Sequence, residues 1–404
     1  MAKVEESLKR LSVDNSMEKI SENTLSNVQG EMIISVEETI AKDDQNYILG
    51  ISGYQGDPEF RVAAYLSDHS CVIYSAGEDF NQIASLNHNL SPIVGVKFSS
   101  TSRNIIYTAS NDGNITACDL RAKGKIIAEF KDNTEDGKLK PLASFDVSSD
   151  ERLLVGGTEH FGGDAFILFW DVRYNNSKFS CKNNLLGGYW ESHMDDITSL
   201  SFHSDRRDVL ASGSTDGLIN IYDLTQSSED SALTYSLNTE NSVDRIGWLS
   251  NDNLWCTTHT HSLQLWSCED ATPYSKFERD NLAPLQGGEP DDCYLVRIHP
   301  RSAFGNPFLL AGSSSTKGEF LKCLSFSNNK LGQYYSMIGN RQIVRDSWYH
   351  EKSGSLVTGG ESGVINIWKQ TEVPLIQRNA NLKRSTKIGA DKVRNDKNHR
   401  SKPY

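Results

Sequence analysis

Asp216-Gly217-Leu218-Ile219-Asn220-Ile221-Tyr222-Asp223 is the stretch that decides the fold. Glycine reaches the positive φ of a tight turn without a Cβ clash, and the residues after it run apolar at strand period. A turn followed by a period-two strand is the second half of a β-hairpin. The signal returns at Asp112-Gly113-Asn114-Ile115-Thr116-Ala117-Cys118-Asp119 and at Ser362-Gly363-Val364-Ile365-Asn366-Ile367-Trp368-Lys369. Lys317-Gly318-Glu319-Phe320-Leu321-Lys322-Cys323-Leu324 is a weaker copy. A strand precedes each turn, over 105–110, 209–214, 309–314 and 356–360, and ends in small residues. A further strand lies ahead of these, over 93–98, 197–202, 243–248, 294–299 and 343–348.

Each unit is therefore a short antiparallel meander recurring every ~40–45 residues, the blade length of a β-propeller. The residues closing the third strands are Tyr74, Cys118, Trp170, Tyr222, Trp266, Cys323 and Trp368. They predict one all-β, seven-bladed propeller, with six or eight blades as the alternatives the spacing leaves open. The last unit lacks an outer strand, and residues 31–36 (Glu-Met-Ile-Ile-Ser-Val) are expected to supply it. An N-terminal strand in the last blade closes the ring and removes open sheet edges. The organisation read from the sequence is a polar segment over 1–30, a propeller over 31–370 and a basic tail over 371–404. Val4, Leu8 and Leu11 stand at i, i+4 and i+7, so a short amphipathic helix is expected in the first segment. Insertions over 131–140, 174–190 and 270–292 are expected at a rim, where loops often carry function.

The net charge is −12, but it is uneven. The last 34 residues carry nine Lys/Arg against three Asp/Glu, a net +6, which leaves −18 on the other 370. That contrast gives the tail its own expected role, and its low aromatic content predicts disorder. The seven cysteines are widely spaced with no CxxC pair, and the start leads into no apolar run of signal-peptide length. No stretch approaches the ~18 apolar residues of a membrane helix. These features point to a soluble chain in a reducing compartment, cytoplasm or nucleus, with thiols used as core residues.

The fourth unit carries a resemblance to the WD-repeat family. Trp190-Glu191-Ser192-His193-Met194-Asp195-Asp196-Ile197 resembles that family's Gly-His loop, with Ser212 in the second strand, Asp216 in the turn and Tyr222 where Trp is usual. In the family these four positions form a hydrogen-bonded chain across the blade, which satisfies polar groups buried in a stack of sheets. Here they are His193, Ser212, Asp216 and Tyr222. Tyr222 departs from the pattern, because a phenol reaches differently from an indole N–H. The second unit keeps His88, Thr108 and Asp112 but has Cys118 for Trp; the seventh keeps Thr358 and Trp368 with Ser362 for Asp. The runs over 157–173 and 191–217 narrow the resemblance within the family. It implies a monomeric propeller that binds other proteins as a scaffold or assembly factor, with no catalytic residues, no cofactor and no metal.

Trp170-Asp171-Val172-Arg173 matches the WDxR pattern by which WD-repeat substrate receptors contact the adaptor of a cullin-RING ubiquitin ligase. Asp119-Leu120-Arg121 is a partial second copy. Asp171 and Arg173 would pair with the adaptor, Arg being the stronger anchor. The competing reading is that Arg173 pairs with its own Asp171 or caps the turn. Cys256, His259, His261 and Cys268 have zinc-ligand chemistry, but neighbours along a strand point to opposite faces and do not converge. No GxxxxGK[ST] or G-x-S-x-G pattern occurs. Asp195-Asp196 and Asp291-Asp292 read as loop carboxylates, with Asp196 a candidate contact on the narrow face of the ring. In the tail, Lys383, Arg384, Lys387, Lys392, Arg394, Lys397, Arg400 and Lys402 suit nuclear import or weak RNA contact by counterion release. Without interleaved aromatics they cannot stack bases. The Val4/Leu8/Leu11 stripe is expected to pack on its own propeller rather than on a partner.

Overall fold

The computed structural model describes residues 30–371, apart from 42–44, 88–89, 133–138, 174–184, 251, 287, 303–305, 316–319 and 328–329. Among the described residues the first element is β1 (Gly30–Thr39), followed by successive antiparallel meanders. The first is β2 (Ile48–Tyr54), β3 (Phe60–Leu66), β4 (Cys71–Ala76) and β5 (Phe80–Leu86). The second is β6 (Ile93–Phe98), β7 (Ile105–Ser110), β8 (Asn114–Asp119) and β9 (Lys125–Lys131). The third is β10 (Leu142–Val147), β11 (Leu153–Thr158), β12 (Ala165–Asp171) and β13 (Leu185–His193). The fourth is β14 (Ser199–Phe202), β15 (Val209–Gly213), β16 (Leu218–Asp223) and β17 (Leu233–Asn238), with helix α1 (Glu229–Ala232) before its last strand. The fifth is β18 (Val243–Trp248), β19 (Asn253–Thr258), β20 (Leu263–Ser267) and β21 (Ser275–Phe277), followed by α2 (Arg279–Gln286). The sixth is β22 (Cys293–His299), β23 (Phe308–Ser313), β24 (Leu321–Ser327) and β25 (Lys330–Ile338). The last described strands are β26 (Val344–His350), β27 (Ser355–Gly360) and β28 (Val364–Gln370).

Burial on both faces of the middle strands explains the stack. In β16, Ile219 and Ile221 pack against Val243, Ile246 and Trp266 of the fifth meander. Tyr222, one residue on and so on the opposite face, packs against Ile167 and Phe169 of the third. Apolar cores of this kind join each meander to the next, and Ile48, Val62 and Tyr74 share one with Val357, Ile365 and Ile367, so the ring is closed. All-β propeller architecture is thus what the repeat pattern predicted.

The sheets depart from the expectation of seven separate blades. Five meanders are free-standing four-stranded sheets, while the rest form one eight-stranded sheet ordered β22-β23-β24-β25-β1-β28-β27-β26. The cause is β1. It pairs antiparallel with β28, with a bulge between Ile34 and Val36. Its first residues also pair parallel with β25, Gly30 opposite Tyr335 and Ile33 opposite Ile338. Gly30 allows this approach, since a Cβ there would lie 2.2 Å from the Tyr335 ring.

Smaller corrections follow. The strand expected over 197–202 starts at Ser199, because the Ile197 N–H bonds the Thr158 carbonyl of the preceding meander. The stretch 270–292 is not a loop: it supplies β21 and α2, and Phe277, Leu282 and Ala283 join the apolar core toward the sixth meander. The Val4/Leu8/Leu11 stripe, His88, most of the 174–190 insertion, Cys181 and the basic tail beyond Thr371 lie outside the described residues.

Candidate interaction surfaces

First strands β2, β6, β10, β14, β18, β22 and β26 line a central channel of about 1460 Å³. Two carboxylates stitch those strands together. Asp346 on β26 accepts from the Ile51 N–H on β2 (2.8 Å) and from Arg245 Nη1 on β18 (2.8 Å), and lies 3.2 Å from Arg297 Nε on β22. One side chain thereby joins the fifth, sixth, last and first meanders. Asp146 on β10 accepts from the Phe202 N–H on β14 (2.8 Å) and from Lys97 Nζ on β6, joining the second, third and fourth. Burial alone pushes the Asp346 carboxyl up, but Arg297, Arg245 and the Ile51 N–H outweigh it and hold the group below its ordinary range. Beside it, burial and then the Arg297 charge drive the His299 imidazole down to about 3, with Nε2 2.9 Å from Ser347 Oγ. Burial and then Asp346 push the Tyr65 phenol up to about 12.

On one face the loops are laced by backbone bonds that pass from meander to meander. Asn111 N–H donates to Pro92 O, Leu142 N–H to Asn111 O, Glu159 N–H to Pro141 O and Ile197 N–H to Thr158 O (2.8–3.2 Å). Thr215 N–H then donates to Asp196 O, Val243 N–H to Ser214 O and His259 N–H to Ser242 O (3.0–3.1 Å). Asp196 lies on this face at the mouth of the channel, its Oδ1 accepting from His160 N–H at 2.7 Å.

The residues expected to form the hydrogen-bonded chain meet across two meanders, with His193 at the end of β13 in the third and Ser212, Asp216 and Tyr222 in the fourth. His193 Nδ1 is 2.9 Å from Asp216 Oδ2 and Nε2 is 2.7 Å from Ser212 Oγ. Asp216 also accepts from the N–H groups of Met194 and Leu218. Burial raises its carboxyl, and the bond and charge of His193 together with the Leu218 and Met194 N–H groups more than reverse this, so it ends lowered. The relay stops at Ser212: the Tyr222 hydroxyl lies among Ser192, Ser212 and Asn220 without closing a hydrogen bond to any of them. Other meanders hold the corner differently. Thr108 and Thr116 bond each other at 2.8 Å in the second, and the Trp368 indole donates to Thr358 Oγ1 at 2.9 Å in the last. In the fifth, Gln264 donates to Thr239 O (3.0 Å) and accepts from the Trp266 indole (3.1 Å), a substitution for the relay that the sequence pattern did not reveal.

Trp170 does not belong to the surface. It is fully buried, packed with Leu154 and Leu168, and its indole donates to Lys131 O of the preceding meander at 3.0 Å. Arg173 is exposed and Asp171 half-buried, and they satisfy each other: Arg173 N–H and Nε donate to Oδ1 (2.9 and 3.0 Å), and Nη2 to Oδ2 (2.8 Å). Arg121 repeats this geometry on Asp119, with Nη2 to Oδ2 at 2.7 Å. In each pair the carboxylate is lowered and the guanidinium raised, first through their side-chain hydrogen bond. Cys256 and Cys268 are buried in one core with Trp266, and His259 Nδ1 bonds Ser242 Oγ at 2.8 Å. Among the described residues no group of three or more His, Cys, Asp or Glu is placed to hold a metal ion. No described helix is long and apolar enough to cross a membrane.

Asp146, Arg245, Arg297 and Asp346 were missed from the sequence. Their signal was available: each is a charge inside a first strand that also carries apolar residues, and a buried charge must find a partner.

Comparison with known proteins agrees with this architecture. The family model described as nucleolar protein 10-like, N-terminal domain, matches residues 94–291. A WD repeat-containing protein of Saccharomyces cerevisiae is 28% identical over 292 residues, 70% of this chain and 68% of its own. WD repeat-containing protein GTS1 of Arabidopsis thaliana is 24% identical over 359 residues, 85% of this chain and 86% of its own. The WD repeat-containing protein 89 homolog of Dictyostelium discoideum is 24% identical over 217 residues, 53% of this chain and 59% of its own. That last similarity is the one to which the runs over 157–173 and 191–217 point.

Proposed function

Since the chain is a WD-repeat β-propeller, we propose that it is a non-catalytic scaffold or assembly factor that binds other proteins through its loop face. We count the eight-stranded sheet as two blades fused through β1, which gives seven, and take 31–370 as the propeller. One observation carries the reading. Asp346 and Asp146, with Arg245, Arg297 and Lys97, hold the channel strands together, while backbone bonds lace the loops of one face from the second meander to the fifth. A catalytic site needs a nucleophile, a base and an orienting group free to act. A rigid, loop-bearing rim needs only shape and surface chemistry. The basic tail, which lies outside the described residues, is proposed to direct nuclear import, in keeping with the nucleolar name of the matching family model.

Affinity purification of the tagged full-length chain, beside an Asp195→Lys/Asp196→Lys variant of the loop face, tests this. Partners recovered in stoichiometric amounts by the first and lost by the second support it. Recovery of none, or turnover of a substrate by the purified chain, removes it. Deleting 371–404 should shift the chain toward the cytoplasm.

The twinned Asp119–Arg121 and Asp171–Arg173 corners favour a second reading, substrate receptor of a cullin-RING ligase. Both guanidinium groups are about two-thirds exposed on neighbouring meanders. Arg121→Ala/Arg173→Ala should abolish co-purification of the adaptor; equal recovery eliminates it.

A further inference from the structure

A sheet edge left unpaired in water is a template for another strand, and proteins normally block it with charge, brevity or a cover. The outer edges of this ring show each device. β9 carries Lys125, Glu129 and Lys131, the last two paired at 3.0 Å. On β13 the N–H groups of Trp190 and Glu191 are occupied by the Glu229 carboxylate (2.6 and 3.0 Å). β21 is three residues long with Lys276 at its centre. β25 is covered by β1.

β17 is the exception among long, β-prone edges. Its sequence, Leu233-Thr234-Tyr235-Ser236-Leu237-Asn238, has no charge, glycine or proline. It ends its sheet, and among the described residues no strand pairs with its outer side. Leu233 to Ser236 are four exposed residues in succession, so both faces of the strand reach solvent at this edge. β5 is also uncharged, but its exposed run is Asn81-Gln82-Ile83, with amides in place of the β-branched and aromatic pair.

We propose that β17 is a strand-addition site for an extended segment of a partner protein. This rests on the scaffold reading and names the surface and the chemistry. The fold already contains the mode of binding, since Gly30–Ile33 of β1 adds in parallel to the outer edge of β25. The partner segment has an uncharged core of alternating β-branched residues to match Thr234–Leu237, flanked by Lys or Arg. The flanks follow from Asp230 and Glu240, exposed at the two ends of β17, which favour cations whichever way the segment runs. A second copy of this chain fits less well: six edge residues fall far short of the ~1,600 Å² that a stable association of two rigid bodies buries. An extended peptide gains affinity from main-chain bonds alone.

The test uses the full-length chain and the probe acetyl-Lys-Thr-Val-Thr-Val-Thr-Lys-amide, read by hydrogen–deuterium exchange and fluorescence anisotropy. Saturating probe should slow exchange of the 233–238 amides at least tenfold. The same peptide N-methylated at alternate residues should not. Thr234→Lys and Ser236→Lys, each checked by an unchanged unfolding midpoint, should weaken binding at least tenfold. Protection appearing at 80–86 or at the channel strands with 233–238 unchanged overturns the proposal, as does equal binding by both lysine variants. Either result leaves the scaffold reading standing, because that reading fails on recovery of no partner by the full chain or on turnover of a substrate, and neither is read by this experiment.

Discussion

Asp346 and Asp146 perform one task on opposite arcs of the channel, with different means. Asp346 takes two guanidinium groups and a backbone N–H from other meanders, and its side chain is 4% exposed. Asp146 takes a single lysine that is 43% exposed and one such N–H. The first knot joins four meanders across the seam where the two ends of the ring meet; the second joins three that are already consecutive in the chain. The lesson is that closure between distant segments is secured by buried charge, whereas neighbours already held by short loops make do with a wet ion pair. Buried pairs are costly to break because the orphaned charge remains, while exposed pairs contribute little.

The sharpest way to break this comparison is Asp346→Ala, which strands Arg245 and Arg297 in the channel. It should cost about 3 kcal/mol in urea unfolding; a loss under about 1 kcal/mol would erase the distinction. His299 sharpens it through pH. Its folded value, about 3, lies below the ordinary 6.5, so the unfolded chain binds more protons between the two. Stability should therefore fall on acidification, by about 2 kcal/mol between pH 7 and pH 5 at ~1.4 kcal/mol per unit, and His299→Gln should flatten that slope. The depressed Asp346 carboxyl adds a further loss only below its unfolded value near 4, as pH falls through its folded one. Asp146→Ala should cost about 1–2 kcal/mol, mainly the unsatisfied Phe202 N–H, and Lys97→Met no more than about 1 kcal/mol. The smallest effect is Tyr222→Phe. Removing a hydroxyl that closes no bond should change stability by less than about 1 kcal/mol, whereas Trp368→Phe loses a made bond to Thr358 and should cost more.

The parts legible beforehand were local. Gly217 and its copies mark the turns, and the strands over 93–98, 105–110 and 243–248 coincide with β6, β7 and β18. His193, Ser212 and Asp216 could be assembled because they lie within 23 residues of one another in the chain, although His193 ends β13 of the third meander and the other two belong to the fourth. Trp170 was legible as the end of a third strand and illegible as a side chain, since its indole bonds a carbonyl 39 residues away. Gln264 was passed over because a resemblance looks for the family's residues, and a different side chain can satisfy the same buried indole.

The order of turns and strands, and hence the propeller, was written in the chain itself, because a positive-φ glycine and a period-two run act over a few residues. Which carboxylate ties which strands, the fusion of two sheets by β1 and the edge of β17 that no described strand pairs were decided only in three dimensions. Ile51 and Asp346 stand 295 residues apart, and no local preference can express a bond whose partners meet only after the ring has closed.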